Sequence, residues 1–457
     1  MNIQVATKSA FDEIEKDVEA QGVRFLRVEV PDLHGIARSK VVPAKRLRSL
    51  IERGLNFPLP PLALDVQCEA VEGTGYLEER GYPDITLVPD LQTFAVLPNS
   101  NGTARFIADA YHAATGEIVN GASRTVARKL FNDAAALGFE VLSGFEYEFY
   151  LLDPISLAPA SETVRQFATF DAGDRPLIYA IAEALEALGI EVTTANLEYG
   201  PSQFEVNFAP RRGLLAADQA FTFKNIAKEI AAASGRLASF ITKPAIARSA
   251  NGLHYNVSLW RDGANAFADS AAPDHFSAIG RHFLAGQIHH APALSALLAP
   301  TINCSKRFRA HSFAPFEADW ATSNRTVALR VKAAGGPDIH IENRIGAGAS
   351  NPYVAAAAIL AAGLDGIRRA LTPPPPRVAG DEETRFVSLP TALEPALKAL
   401  EADTILVEAL GPEFVKIFTT VKRHEIRKAR RAIPGFDDPS FHERVDPWEL
   451  GELARVL

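Results

Sequence analysis

Phe145-Glu146-Tyr147-Glu148-Phe149 decides how the rest of the chain is read. Successive side chains of a strand point to opposite faces, so period two puts both glutamates on one face and the three aromatic rings on the other. Two unpaired carboxylates side by side on a half-buried strand are costly to desolvate and repel each other. A cation between them relieves both costs. A solvent-exposed polar face is the alternative that this fragment alone leaves open.

Working outward, the strand expected over residues 139–151 follows a helix expected over 124–137, with Val126, Leu130 and Leu137 on its apolar side. A helix at 177–188 comes next, then strands at 190–197 and 203–208 and a helix at 216–233. Further strands are expected at 253–259, 326–331 and 340–344, with helices at 274–289 and 354–370. Four prolines at 373–376 form a loop, and the tail from Thr391 carries two or three helices, one at 421–432. On the N-terminal side lie a helix at 9–19 and strands at 23–30 and 84–90, with Pro58, Pro60 and Pro61 breaking the chain between them. This small unit ends near Phe106, and 111–121 reads as a junction. The pattern is α+β, with strands too separated and too acidic for a dinucleotide-binding sheet.

The chain has 457 residues, 47% hydrophobic and 22% charged, which excludes a disordered or fibrous protein. Its formal net charge of -8 argues against a nucleic-acid or anionic-membrane surface. Cys68 and Cys304 stand at no metal-ligand spacing, which speaks against a structural zinc cluster and a disulfide scaffold while leaving one disulfide open. No secretory signal is visible at the start, and the Ala-rich run at 354–364 is too short to span a bilayer. A reducing cytoplasm is the expected compartment.

More acids join the first pair. Glu198-Tyr-Gly-Pro-Ser-Gln-Phe-Glu205 links two strands through a Gly-Pro turn, a length that can return both glutamates to one site. His254 reads either as a ligand or as a satisfied core group, and Glu342 either as a ligand or as a surface partner of a nearby arginine. Carboxylates with one imidazole and no thiolate suit Mg²⁺ or Mn²⁺ better than zinc or iron. Arg307, Arg309, Arg325, Arg330 and Arg344 fit an anionic pocket or ordinary surface pairing; divalent cations with arginines are what phosphoryl transfer needs. The sequence lacks a P-loop, a kinase signature and a Gly-x-Ser-x-Gly elbow.

In ordered segments the chain resembles the glutamine synthetase family over nearly its whole length. The segments are Asp32-Leu-His-Gly-Ile-Ala-Arg-Ser-Lys40, Val88-Pro-Asp90, Glu146-Tyr-Glu148, Glu198 to Glu205, and Lys243-Pro244 leading into His254. Asn303-Cys-Ser-Lys-Arg307, Asn324-Arg325, Ile341-Glu-Asn-Arg344 and Asn351-Pro-Tyr353 complete them. The resemblance implies an α+β fold with a small β-grasp-like domain at 1–107. A catalytic domain at 108–457 follows, built on a curved antiparallel sheet flanked by helices. It implies two to three divalent ions per site, one held by Glu148, Glu198 and Glu205 and another by Glu146, His254 and Glu342. Arg325 and Arg330 would hold phosphates of ATP, with Asn256 and Ser258 on the nucleotide side. Arg307 and Arg344 would grip glutamate, with Asn251, Gly252 and Phe313 lining the substrate side. Arg325 and Arg307 count as catalytic on this reading. The implied reaction activates L-glutamate with ATP to γ-glutamyl phosphate, which an amine nitrogen then attacks. The implied assembly is a homo-oligomer, a dodecamer of two hexameric rings with sites between subunits.

Departures from the family pattern point to the nucleophile. Ammonium-using members carry a glutamate where this chain has Phe313, and a phenyl ring cannot take up ammonium's proton. The ammonium-site Asp-Gly-Ser-Ser motif is replaced by Leu62-Ala-Leu-Asp-Val-Gln67, leaving Asp65 as the acid proposed to deprotonate the amine. The loop before the metal histidine is Ser249-Ala-Asn-Gly252, and Asn256 stands where a histidine is common. The pattern resembles the γ-glutamylpolyamine and γ-glutamyl-amine synthetase branch, in polyamine and nitrogen metabolism. An ammonium-using glutamine synthetase and an inactive regulatory or structural relative are the alternatives.

Overall fold

The computed structural model describes residues 8–98, 100–162, 166–169, 173–309, 312–332, 336, 338–378 and 384–457. Residues 1–7 of the stretch read for a signal, and 310 and 311 beside Phe313, lie outside it.

The first sheet contains β1 (Phe25–Pro31), β2 (Ala37–Pro43), β3 (Leu55–Pro58), β4 (Asp84–Pro89), β5 (Ala95–Val96) and β6 (Thr103–His112), in the order β2-β1-β6-β4-β3 with β5 on β6. Helices α1 (Lys8–Ala20) and α2 (Leu47–Arg53) belong to this half. β1 and β6 run parallel, and Leu26, Val28, Phe106 and Ile107 are buried where they pair. The domain boundary expected after residue 107 falls inside β6, because its pairing with β4 continues to His112. The stretch read as a junction also folds back, Tyr111 bridging Ile118.

α3 (Ser123–Ala136) leads into the second sheet, whose spine is β7 (Glu140–Leu152). Then come α4 (Arg175–Ala187), β8 (Val192–Leu197), β9 (Gln203–Phe208), β10 (Arg211–Arg212), α5 (Leu215–Ala233), β11 (Leu237–Ser239), β12 (Leu253–Arg261) and β13 (Ala264–Asn265). α6 (Ala278–His289), α7 (Ala291–Leu298), β14 (Trp320–Thr322), β15 (Leu329–Lys332) and β16 (His340–Asn343) follow. The sheet order is β14-β15-β16-β12-β7-β9-β8, antiparallel as expected except for the parallel pair β14/β15. The expected strand at 326–331 starts later, at Leu329, because Asn324 accepts from Thr326 N–H and closes a turn there. The expected helix at 274–289 likewise starts at Ala278, where Ser277 caps it by accepting from Gly280 N–H.

The tail holds four helices after α8 (Pro352–Arg368), more than the two or three expected: α9 (Leu393–Ala402), α10 (Thr404–Leu410), α11 (Pro412–Ala432) and α12 (Pro447–Leu453). α8 is buried from Pro352 to Gly366, which explains why its sequence is apolar all round. It crosses α6 so closely that a Cβ on Gly286 would lie 2.1 Å from Ala362 O. Among the described residues no helix is long and apolar enough to cross a membrane, and both cysteines are free thiols.

Two buried ionic clusters tie these layers together. Arg124 bridges Asp90, just after β4, and Asp109 of β6 to Asp218 of α5, at 2.7–2.8 Å. His290 sits between Asp365 at 3.0 Å and Asp403 at 2.5 Å. Burial alone would lower the His290 pKa, but its two aspartates outweigh burial and hold it above the usual value. A raised histidine contributes its full stability below the unfolded value of about 6.5 and loses it as pH rises through the higher folded value. His290→Gln is expected to destabilise the protein by about 3 kcal/mol at pH 6. The loss shrinks towards pH 9, and urea titrations at the two pH values measure the difference.

Candidate active site

The register of the second sheet assembles the acids. Glu146 stands opposite His254 across β7/β12, and Glu148 opposite Glu205 across β7/β9. On β16, Glu342 faces Asn256 on one side and Arg330 on the other. The expected alternation of β7 holds: Phe145, Tyr147 and Phe149 are fully buried, with Phe149 5.9 Å from the Phe223 ring of α5. The apolar face is thereby fixed against helices, and the acid face opens into a cleft of about 580 Å³.

Glu198 reaches the same cleft from the turn between β8 and β9. That turn requires glycine: a Cβ on Gly200 would lie 2.0 Å from the Tyr150 hydroxyl, and Gly200 N–H donates to Gln203 Oε1 at 2.8 Å. Gln203 in turn donates to Glu148 Oε2 at 3.2 Å and to Asn251 Oδ1 at 3.0 Å. Gly252 N–H donates to Glu148 Oε2 at 2.8 Å. Asn251 itself is fully buried, donating to Ser239 O and Ile241 O, and shapes the loop from beneath.

Among the described residues, two groups of oxygen and nitrogen atoms in the cleft could each hold a metal ion, and a third, Asp65, Glu69 and His424, lies outside it. Of the cleft pair, one is Glu148, Glu198 and Glu205; the other is Glu146, Glu205 and His254. Each has its ligand atoms within 4.8 Å of one another. The first is the trio expected. In the second, Glu205 joins Glu146 and His254, and Glu342, also expected there, lies 3.8 Å from His254 Nδ1 and meets Arg330 and Arg344 at 3.2 Å and Lys332 at 3.4 Å.

The electrostatics match this division. Burial first, then the neighbouring Glu198 charge, raises Glu148 to about 7 against the pull of Gly252 N–H, Arg307 and Arg344. Burial raises Glu198 as well. Burial and three neighbouring glutamates push Glu205 up to about 9. Burial also acts on Glu146, yet the bond to His254 and the Lys332 charge hold it well below the usual carboxylate range. Acids pushed up by burial and mutual repulsion are what a divalent cation relieves, so the donor set fits Mg²⁺ or Mn²⁺.

Arg307, Arg325, Arg330, Arg344 and Phe313 all line the cleft. Arg307 is anchored by donating to Ile345 O and Arg344 O at 2.9 and 3.0 Å. Buried Nε atoms of Arg330 and Arg344 have no hydrogen-bond partner among the described residues, donors left for an anion. Asn256 donates to Glu146 Oε1 at 2.9 Å from beneath the cleft. Ser258 lies deeper and accepts from Trp260 Nε1. Asp65 is placed elsewhere: it is buried, accepts from Gln67 and Glu69 N–H, and pairs with Lys428 at 2.9 Å.

Sequence reasoning missed Lys332, Phe167 and Tyr199 in the cleft lining. Lys332 was within reach, since period two along β15 puts it on the face of Arg330. Phe167 and Tyr199 sit in turns, where no periodicity marks them. Tyr199 and Phe313 pack with ring centroids 6.0 Å apart. Phe167 and Phe313 both adopt left-handed backbone, φ 56° and 57°, a strained choice for an aromatic residue.

Comparison with known proteins agrees with this geometry. The family description "Glutamine synthetase, catalytic domain" matches residues 120–437. The glutamine synthetase of Thermus thermophilus is 32% identical, over 96% of this chain and 97% of its own. Lengsin of Homo sapiens is 31% identical over 92% of this chain and 83% of its own. Among solved structures, GmaS without ligand superposes with a TM-score of 0.82 at 29% identity, covering 92% of this chain and 97% of that one. GmaS with ADP gives the same TM-score at 28% identity, covering 95% of this chain and 98% of that one.

Proposed function

The chain belongs to the glutamine synthetase family, and on that premise we propose that its reaction, ATP-dependent ligation of glutamate to an amine, takes an organic primary amine in preference to ammonium. The observation that carries this is the aromatic wall of the cleft. Phe167, Tyr199 and Phe313 are 69%, 55% and 59% exposed, in a cleft whose floor is made of carboxylates. Apolar surface of this size gains by being covered, and an alkylammonium offers both a carbon body for the rings and a cation for their faces. Ammonium offers only the charge. The GmaS likeness supports the same reading, since GmaS is a γ-glutamyl-amine synthetase.

Glu148, Glu198 and Glu205 would hold one Mg²⁺ or Mn²⁺, and Glu146, His254 and Glu342, with Glu205 alongside, a second. Bound there, the ions neutralise phosphate charge. Arg325 and Arg330 add positive charge where the γ-phosphoryl group leaves ATP, and Arg307 and Arg344 orient the glutamate carboxylates. A carboxylate is a poor electrophile until phosphorylated, and the aromatic wall keeps water from the acyl phosphate while the amine attacks. Asp65 has its oxygens engaged by Lys428 and two backbone N–H groups, which argues against the deprotonating role expected for it. The family points to an oligomer of small-molecule-binding subunits. We place it as a dodecamer of two hexameric rings in the cytoplasm, where the free Cys68 and Cys304 are at home.

The test is phosphate release from ATP with glutamate and Mg²⁺, ammonium in one arm and amines from methylamine to putrescine and benzylamine in others. Mass spectrometry identifies the γ-glutamyl product. An organic amine is expected to exceed ammonium in kcat/KM by about tenfold or more, and Phe313→Glu to reverse the order by restoring an acid to the wall. Equal or better use of ammonium by the unaltered enzyme would sink the proposal.

A further inference from the structure

Glu449 is fully buried and lies outside the cleft, yet it holds two of the segments that build the cleft. Asp446-Pro-Trp-Glu449 forms a capping box at the start of α12, Asp446 N–H donating to Glu449 Oε1 at 2.9 Å. A glutamine would serve such a box as well, so the box alone does not call for a charge. The same oxygen accepts from Lys306 Nζ, in an ion pair whose two partners are both shut off from solvent, and that ammonium lies 3.9 Å from the Phe441 ring. Lys306 precedes Arg307 in the tight turn Cys304–Arg307. The other oxygen, Glu449 Oε2, accepts from Asn303 Nδ2 at 3.0 Å. Asn303 in turn takes both backbone groups of Lys243: Lys243 N–H donates to Asn303 Oδ1 at 2.7 Å, and Asn303 Nδ2 donates to Lys243 O at 3.0 Å. Lys243 opens the loop that ends at Gly252, whose N–H donates to Glu148.

We propose that Glu449 is a positioning residue for the glutamate pocket, setting the Arg307 turn and the 243–252 loop at a fixed separation through Lys306 and Asn303. The proposal rests on the reading that Arg307 grips a glutamate carboxylate. Arg307 is itself buried, so its guanidinium meets the cleft only where its backbone puts it. Arg344 O and Ile345 O fix the far end of the side chain, and the Glu449–Lys306 pair fixes the backbone beside it. A misplacement of about 1 Å in a group that orients substrate can cost about a hundredfold in rate. A buried ion pair is a weak device for stability, since apolar residues of similar volume often serve a fold equally well. Its place here, one residue from Arg307 and one side chain from the loop under Glu148, is explained by the geometry it imposes on the pocket.

Steady-state kinetics on the full-length protein, with glutamate and ATP varied separately and the faster of ammonium or amine as nucleophile, separate this role from a purely structural one. Glu449→Gln is expected to raise the glutamate KM by about tenfold or more and to leave the ATP KM within about twofold. Lys306→Met with Glu449→Leu replaces the pair by apolar side chains; it is expected to melt no lower than Glu449→Gln and still to show the raised glutamate KM. Glu449→Asp keeps the charge and is expected to fall between Glu449→Gln and the parent. His290→Gln, destabilised at a distant cluster, is expected to keep both KM values. A parent-like glutamate KM in the first two variants, a parallel rise in both KM values, or failure of both variants to fold would overturn the proposal in favour of a structural role. Arg307→Gln tests the reading beneath it and is expected to raise the glutamate KM at least as far. An unchanged KM there removes Arg307 from the pocket and the proposal with it, whereas a raised KM in Arg307→Gln alone removes only Glu449.

Discussion

Arg325→Ala lowers kcat by about a thousandfold while leaving the thermal unfolding midpoint nearly unchanged. Both halves of this expectation come from where the side chain stands. Arg325 is exposed on the turn before β15, lines the cleft, and has no carboxylate within ion-pair distance among the described residues. Its backbone is shaped by the preceding Asn324, which accepts from Thr326 N–H at 2.8 Å, so the guanidinium can be removed without disturbing the turn. A guanidinium uncommitted to the fold, at the rim of an acid-floored cleft, is free to stabilise charge as the phosphoryl group transfers. Arg330, half-buried and bonded to Glu342, is not free in that way. Arg325→Lys restores charge but not the planar fork, and part of the rate is expected to return. A loss smaller than tenfold in single-turnover phosphate release would remove Arg325 from the chemistry.

Glu205→Gln is expected to separate stability from activity. Glu205 is the acid common to both candidate metal groups, so its loss should cut turnover by about a thousandfold. The same change should stabilise the metal-free protein. Burial and three neighbouring glutamates place its carboxyl at about 9, above the unfolded value of 4.5. An acid raised on folding opposes folding increasingly as pH climbs from about 4.5 to about 9, because the unfolded chain releases the proton and the folded one retains it. Metal-free parent protein therefore loses stability across that window, and the amide, which has no proton to release, does not. At pH 8 the metal-free variant should melt above the parent. Mn²⁺ should reverse the order, since it binds and stabilises the parent's acids. Melting curves at pH 5 and 8, with and without Mn²⁺, give all four comparisons; a variant less stable than the parent at pH 8 without metal would refute the repulsion argument.

What the sequence revealed and what it hid divide along physical lines. The alternation at Phe145 to Phe149 identified a one-faced acid strand because burial on the other face enforces period two. The strand at 203–208 was readable to its ends for the same reason, Phe204, Val206 and Phe208 all being buried. Pairings between distant strands are not written in local periodicity. That Glu205 as well as Glu342 comes near Glu146 follows from β9 and β16 flanking the β7/β12 pair on its two sides. Lengths of β12 and β6, and the parallel β14/β15 pair, depend on such neighbours too. Asp65, read from a motif position, is held in this chain by Lys428, 363 residues away in sequence, a partner that local periodicity does not announce.

Glu146, Glu148, Glu205, His254 and Arg330 hang from strands and Glu198 and Arg325 from turns beside them, whereas all three rings, Phe167, Tyr199 and Phe313, hang from turns. That separation has a consequence for how such a protein can change over generations. A substitution on β7 risks register, core and ligand geometry together. One in a turn alters only the shape and polarity of one wall, at small cost to folding. The scaffold can thus explore new amines by drift at three positions while its energy-coupling chemistry stays constant, and a library randomised at those turns alone should yield folded, ATP-hydrolysing variants with diverging nucleophiles.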